Sequence, residues 1–246
     1  MNKYINIMPM AGLGKRFLKS DYKSPKPLIP IKHKAMFIQA AKSMPKSLLN
    51  IFICNEKLVK NNKIKNILNK EYNNKFCLIT VKKLTNGQAN TCFLAKSILS
   101  KKEKIFVHSC DSLIKYDKLK LDKKLQSFDA LILTTKPNKI HLKNINSYGW
   151  VSMNKNKITN ITCKKKASNT PSKDRVIIGS FVFGSKKIFV NMLKNLFKSR
   201  KKINNEYYID MAFRNALKEN FKIANFTVSS YVSWGTPEEL KKWENK

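Results

Sequence analysis

Between residues 3 and 137 the chain alternates short apolar runs, rich in β-branched residues, with stretches of helical spacing. The runs are KYINIMPM (3–10), LNIFICN (49–55), FCLITVKKL (76–84), KIFVHSCDSLI (104–114) and FDALILTTKP (128–137). AMFIQAAKSM (35–44) and QANTCFLAKSIL (88–99) lie between them and carry apolar residues at helical intervals. Apolar strands separated by helices imply a mostly parallel sheet with helices on both faces. A Rossmann-like α/β fold is therefore expected.

After residue 145 the rhythm changes. YGWVSMNKNKITNITCKK reads as a hairpin turning at 154–156, and VIIGSFVFG as a strand. KKIFVNMLKNLFKSR and NEYYIDMAFRNALKEN read as helices, and VSSYVSW as a closing strand. In GTPEELKKWEN, Thr236, Pro237 and Glu239 spell a capping box that starts a last helix. No linker, repeat or low-complexity block interrupts the chain. Its 246 residues suit one domain, 1–246, made of a 1–120 half and a 121–246 half with a small hairpin-containing lobe.

No run approaches the roughly 18–20 apolar residues of a membrane span, and no basic and apolar leader opens the chain. The expected compartment is the cytoplasm. Cysteines 54, 77, 92, 110 and 163 are odd in number and lack zinc or redox spacing, so reduced, mostly buried thiols are expected. The three histidines form no ligand pattern.

The formal charge is +35. Such a charge suits a polyanion partner and raises a basic nucleic-acid-binding module as an alternative. Yet only four of the 50 basic residues are arginine, and the lysines are spread without blocks. Abundant Lys and Asn fit A/T-rich codons, and the aromatics lie mostly in apolar runs. No specific nucleic-acid partner is expected, although such a field attracts polyphosphates.

In open α/β sheets, ligands sit beyond the carboxyl ends of the strands. Three polar features fall there: the 11–16 loop, Gly87 and Asp111. Of seven glycines, two are spent at 12 and 14, in Ala11–Gly12–Leu13–Gly14–Lys15–Arg16. Glycines there let backbone amides turn toward an anion, and Lys15 and Arg16 add charge beside them. The loop is neither G-x-x-x-x-G-K-[ST] nor G-x-G-x-x-G. Pro25 and Pro27 stiffen the backbone around Lys26 and aim its ammonium.

Gly12, Gly14, Arg16 and Pro25–Lys26–Pro27 together resemble the nucleotidyltransferases that make nucleotide-activated sugars and related phosphates. The wording PMAGLGKRF…Y…PKPLI is most similar to the branch that activates sugar or alcohol phosphates for surface polysaccharides. The resemblance continues through NGQANT (86–91), HSCDSLI (108–114), SYGWV (147–151), IIGSFVF (177–183) and WGTPEEL (234–240). It implies that an acceptor phosphate attacks the α-phosphorus of a nucleoside triphosphate and releases pyrophosphate, with Mg²⁺ bridging oxygens. It makes 1–120 the nucleotide-binding half and 121–246 the acceptor-binding half. Residues 11–16 would wrap the triphosphate, and Arg16 would stabilise the leaving pyrophosphate. Lys26 would hold the α-phosphate or the incoming phosphate. Gly87 and Gln88 would lie against the base, Asp111 would bind the metal, and Gly149 and Lys164 would meet the acceptor.

Three positions depart from the family pattern. Cys163 stands where sugar-phosphate members carry a glutamate, which opens the alternative of a non-sugar acceptor: choline phosphate, a polyol phosphate or a phosphorylated amino acid. Ser233 stands where a second metal-binding aspartate is common, leaving Asp111 alone or Asp210 as a substitute; Asp210 is expected on a helix surface. Lys82 and Lys83 stand near where a base-reading glutamine is frequent. CTP is the guessed triphosphate, from the composition of the branch.

Overall fold

The apolar runs of the first half become strands because each must bury both faces. The structure is a computed structural model describing residues 3–18, 20–60 and 62–245. Its strands, in chain order, are β1 Tyr4–Met10, β2 Pro30–Ile31, β3 Lys34–Ala35, β4 Leu49–Asn55, β5 Phe76–Val81, β6 Lys104–Val107 and β7 Ser112–Lys115. They continue with β8 Ala130–Thr135, β9 Gly149–Asn154, β10 Lys157–Cys163, β11 Arg175–Phe183, β12 Ile223–Thr227 and β13 Ser230–Ser233. β1 shows the period-2 logic of a buried strand. Its Ile5 and Ile7 pack under the helices Gln88–Phe93 and Lys186–Lys198, while Met8 and Met10 pack with Phe37, Phe52 and Leu68 on the opposite face. Tyr4 joins Phe106, Leu121 and Leu131 in a third cluster.

β1 lies between β4 and β6 and runs parallel to both; β5 is parallel to β4. β11 is antiparallel to β6 and to β8, and β12 is parallel to β8. The long β11 also pairs through its first residues with β9, the inner strand of the β9–β10 hairpin. Its register breaks between Ile177 and Phe181, around Gly179 at φ +70°. The result is the expected α/β fold, with a parallel β5–β4–β1–β6 centre, antiparallel pairings through β11 beyond it, and helices on both faces.

After β1 the chain builds β4 and β5 on one side, then places β6 on the other. Such a reversal opens a crevice at the carboxyl ends of the two central strands. The Ala11–Gly14 loop leaves β1 there, and residues 108–111 leave β6 there.

Several elements differ from expectation. NEYYIDMAF becomes helical only at Ile209. Tyr207 is held extended because its N–H donates to the Asn86 carbonyl at 2.7 Å and its carbonyl accepts from the Ala89 N–H at 2.9 Å. QANTCFLAKSIL is α-helical through Phe93 and then tightens to 3₁₀ over Leu94–Ser97. KIFVHSCDSLI splits into β6 and β7, and VSSYVSW supplies β13, which pairs with β7 outside the main sheet. The helices Lys63–Tyr72 and Lys118–Gln126 and strand β12 had no counterpart in the sequence reading. Thr236 and Glu239 form the expected capping box on Pro237–Glu244. All five cysteines are free, four of them buried. No helix among the described residues is long and apolar enough to cross a membrane.

Candidate active site

Gly14 takes φ +62°, and a Cβ there would stand 3.1 Å from the Lys26 Cβ. The loop can thus fold down onto Lys26 only as glycine. A Cβ on Gly12 would meet nothing within 4 Å, so its backbone borders open space. Leu13, Lys15 and Arg16 are exposed, whereas Ala11 is buried in the floor and its carbonyl accepts from the Asn55 amide at 3.3 Å.

Lys26 starts a 3₁₀ turn capped by Pro25, with Pro27 and Leu28 buried beneath. This bracing aims its ammonium at the Asp111 carboxylate, 2.5 Å away, and at the Gly235 carbonyl, 3.1 Å away. The two side chains are 16% and 25% exposed. Burial works against both charges, but each stabilises the other. Asp111 is held below the usual carboxylate range and Lys26 above the usual lysine value.

Asp111 is fixed through its backbone, whose carbonyl accepts the Trp234 N–H at 2.8 Å. Below it lies the fully buried His108. Its Nε2 faces the Ser112 carbonyl at 3.0 Å and its Nδ1 the Ser180 hydroxyl at 2.7 Å. A carbonyl only accepts, so Nε2 carries the proton and Nδ1 accepts from Ser180. Burial lowers the His108 pKa to about 4, so the ring is a neutral strut.

Three contiguous recesses form one cleft. The first, about 350 Å³, is lined by Arg16, Lys26, Asp111, Tyr148, Gly149, Tyr208 and Asp210. A second, about 410 Å³, joins it through Arg16, Lys26 and Gly235 and reaches Lys164 and Glu206. A third, about 210 Å³, shares Pro9, Gln88 and Tyr208 with the first and is walled by Thr85 and Gly87. Arg16, Lys26 and Asp111, chosen from sequence, therefore border one space.

Gly87 takes φ +99°, and a Cβ there would lie 2.7 Å from both the Tyr207 N and O. Its glycine serves the junction between 85–88 and 206–207 as well as any ligand. Gln88 begins the helix and lines the first and third recesses. Lys82 and Lys83 are exposed and border none of the three.

One expectation about this end of the cleft needs correction. Asp210 is not on a helix surface; it is 8% exposed and lines the first recess. Gly149 is buried, and a Cβ on it would collide with the Asp210 carboxylate. The glycine therefore makes room for this chain's own acid. Lys164, at φ +55°, lays its ammonium 4.8 Å over the Tyr208 ring. Tyr208 in turn donates to the Glu206 carboxylate. Tyr148 donates to the buried Glu239 at 2.9 Å. Glu206, Tyr148 and Tyr208 were not foreseen as site residues, and Asp210 was raised only as a substitute metal ligand. A signal for Asp210 was present: Ile209, Met211, Ala212 and Phe213 surround it, so the helix start is apolar on all sides.

Among the described residues no three His, Cys, Asp or Glu side chains cluster to hold a metal. One carboxylate beside a glycine-bearing loop and two cations would suit Mg²⁺, which keeps waters and takes ligands from substrate phosphates rather than from a protein cage. Ser233 supplies no carboxylate; its hydroxyl accepts the Gly235 N–H at 3.2 Å. Among the described residues, the most exposed large hydrophobics are all leucine or isoleucine.

No family model matches the chain, and no curated protein matches it in sequence. Solved structures do match its fold. The nucleoside-diphosphate-sugar pyrophosphorylase from Vibrio cholerae RC9 aligns with TM-score 0.78 and 17% identity, covering 98% of this chain and 100% of that one. A putative glucose-1-phosphate thymidylyltransferase from Bacillus anthracis gives 0.75 and 16%, over 97% and 93%. The inositol-1-phosphate CTP transferase from T. maritima gives 0.73 and 16%, over 99% and 95%.

Proposed function

We propose that this chain is a nucleotidyltransferase that joins a nucleoside triphosphate to a phosphorylated small-molecule acceptor and releases pyrophosphate. The observation that carries this reading is the convergence of Arg16, Lys26 and Asp111 on one cleft at the β1/β6 crevice. The fold neighbours support it: their names describe a pyrophosphorylase, a thymidylyltransferase and a CTP transferase.

A phosphate is already a nucleophile, so the site's task is positioning and charge neutralisation. The amides of 11–14 and the cations Lys15 and Arg16 receive the triphosphate, with Arg16 facing the charge that builds on departing pyrophosphate. Lys26 leaves Asp111 for the α-phosphate, which both nucleophile and leaving group share. Asp111 would hold Mg²⁺, which supplies Lewis-acid neutralisation of the phosphate oxygens when bound. The recess at Thr85, Gly87 and Gln88 takes the base, with CTP as the working assignment. Gly149 and Lys164 border the acceptor end.

By resemblance, the acceptor is a sugar phosphate and the product feeds surface-polysaccharide assembly from the cytoplasm. Cys163 favours the non-sugar alternative. Pyrophosphate release, measured over a matrix of triphosphates and phosphate acceptors, tests the reading. One productive pair, dependent on Mg²⁺, is expected.

A further inference from the structure

Of the two aspartates lining the first recess, Asp210 is the one without a salt bridge among the described residues; the Lys164 ammonium attracts its carboxylate only from beyond that distance. Asp210 is more than nine-tenths buried, yet its side chain borders the first recess. Its own backbone amide, the weakly donating Cys163 thiol and the more distant Lys164 charge are the groups that favour its ionised form, against burial. Among the described residues no cation reaches salt-bridge distance of it, in contrast to Asp111 with Lys26 and Asp122 with Lys104 and Lys118. Buried carboxylates without a strong donor are costly, and proteins keep them where a ligand supplies the missing partner.

The location is specific. Cys163 ends β10 and is the cross-strand partner of Gly149 on β9. Asp210 reaches the same point from a different element, the helix Ile209–Ala216, with its carboxylate lying on Gly149. Cys163 and Asp210 thus meet at Gly149 from two different elements, with the only carboxylate at this point coming from the helix.

Resting on the nucleotidyl-transfer reading above, we propose that Asp210 selects the acceptor, its carboxylate receiving a hydrogen bond from a hydroxyl or ammonium group carried near the acceptor's phosphate. Tyr208, whose ring already holds the Lys164 ammonium, forms the adjoining wall. The shared chemistry is a donor group facing a buried anion. Its two sources, a neutral hydroxyl and a cationic amine, respond differently when the anion is neutralised. An asparagine still accepts from a hydroxyl through its amide oxygen but offers an ammonium no counter-charge.

The test compares wild type with Asp210→Asn and Asp210→Glu in pyrophosphate release, using sn-glycerol 3-phosphate, glucose 1-phosphate and ethanolamine phosphate. Triphosphate binding is followed separately by thermal shift. The proposal expects the acceptor KM to rise at least tenfold in Asp210→Asn for a hydroxyl-bearing acceptor and at least a hundredfold for ethanolamine phosphate. The triphosphate KM and thermal shift should not change. If Asp210→Asn does not fold, Asp210→Glu decides, and a changed acceptor ranking at constant triphosphate KM is expected. An unchanged acceptor KM, equal losses in both KM values, or a wild type that uses none of the three acceptors overturns the proposal. A wild type whose melting no triphosphate shifts counts instead against the nucleotidyl-transfer reading itself.

Discussion

The ammonium of Lys26 meets the carboxylate of Asp111 at 2.5 Å, across 85 residues of sequence. Each arrives on a separately braced segment, one between two prolines and the other pinned through its carbonyl to Trp234. Breaking such a pair removes one charge and strands its partner. Lys26→Ala, Asp111→Ala and Arg16→Ala are each expected to cut turnover at least tenfold, with losses of about 10²–10³ where the charge acts mainly on the transition state. Steady-state kinetics on variants with unchanged circular dichroism checks this. Full activity in any one of them removes that residue from its role.

Gly12 and Gly87 should respond oppositely to a methyl group. Gly87→Ala forces a left-handed backbone and drives a Cβ into the Tyr207 main chain, which should cost about 2–4 kcal/mol of stability. Gly12→Ala meets only open cleft. It should fold with wild-type stability, and its effect should appear as weaker triphosphate binding. Chemical denaturation and titration of the two variants separate these outcomes.

Two buried aspartates should bend the stability curve in opposite directions. Burial would raise the Asp122 pKa, but bonds from Lys118, Tyr4 and Lys104 overcome it and hold the carboxyl at about 2. Its contribution, on the order of 2 kcal/mol, is present above the ordinary aspartate value and lost as pH falls through about 2. Asp210 is raised to about 6 by burial. Its contribution is full below the ordinary aspartate value and lost as pH rises through about 6. Asp122→Asn should flatten the acid limb below pH about 4, and Asp210→Asn the slope between about 4 and 6. Urea melts at a series of pH values report both.

Thr236→Ala should shorten or fray the last helix. Its hydroxyl accepts from the Glu239 N–H at 3.2 Å, while Glu239 accepts back from the Thr236 N–H at 3.0 Å. Loss of such a cap costs about 1 kcal/mol. Because Glu239 also accepts from Tyr148 beside the cleft, a drop in acceptor affinity should accompany the drop in melting temperature.

The central sheet was legible because β1, β4 and β8 are apolar on both faces, a pattern that leaves no other placement. The Gly12–Gly14 and Pro25–Lys26–Pro27 segments were legible because their residue types restrict the backbone directly. The acceptor end was not. Asp210 looked like an ordinary first-turn acid, and only the register that sets Cys163 opposite Gly149 shows what it faces. Tyr207 broke the expected helix through hydrogen bonds to Asn86 and Ala89, more than 100 residues away. Such long-range pairings leave no periodic trace in the chain. Lys63–Tyr72 and Lys118–Gln126 carry little helical signal because polar residues, lysine foremost, dilute their apolar faces.

Nucleotidyl transfer is read out by the pyrophosphate formed when the purified protein meets each of CTP, UTP, GTP, ATP and dTTP with Mg²⁺ and a panel of phosphorylated sugars, polyols and amines. One favoured pair is expected, giving pyrophosphate and a nucleotide-linked product in equal amounts, abolished by chelator and by Asp111→Ala. Absence of pyrophosphate from every combination, together with no triphosphate that raises the melting temperature, would contradict nucleotidyl transfer.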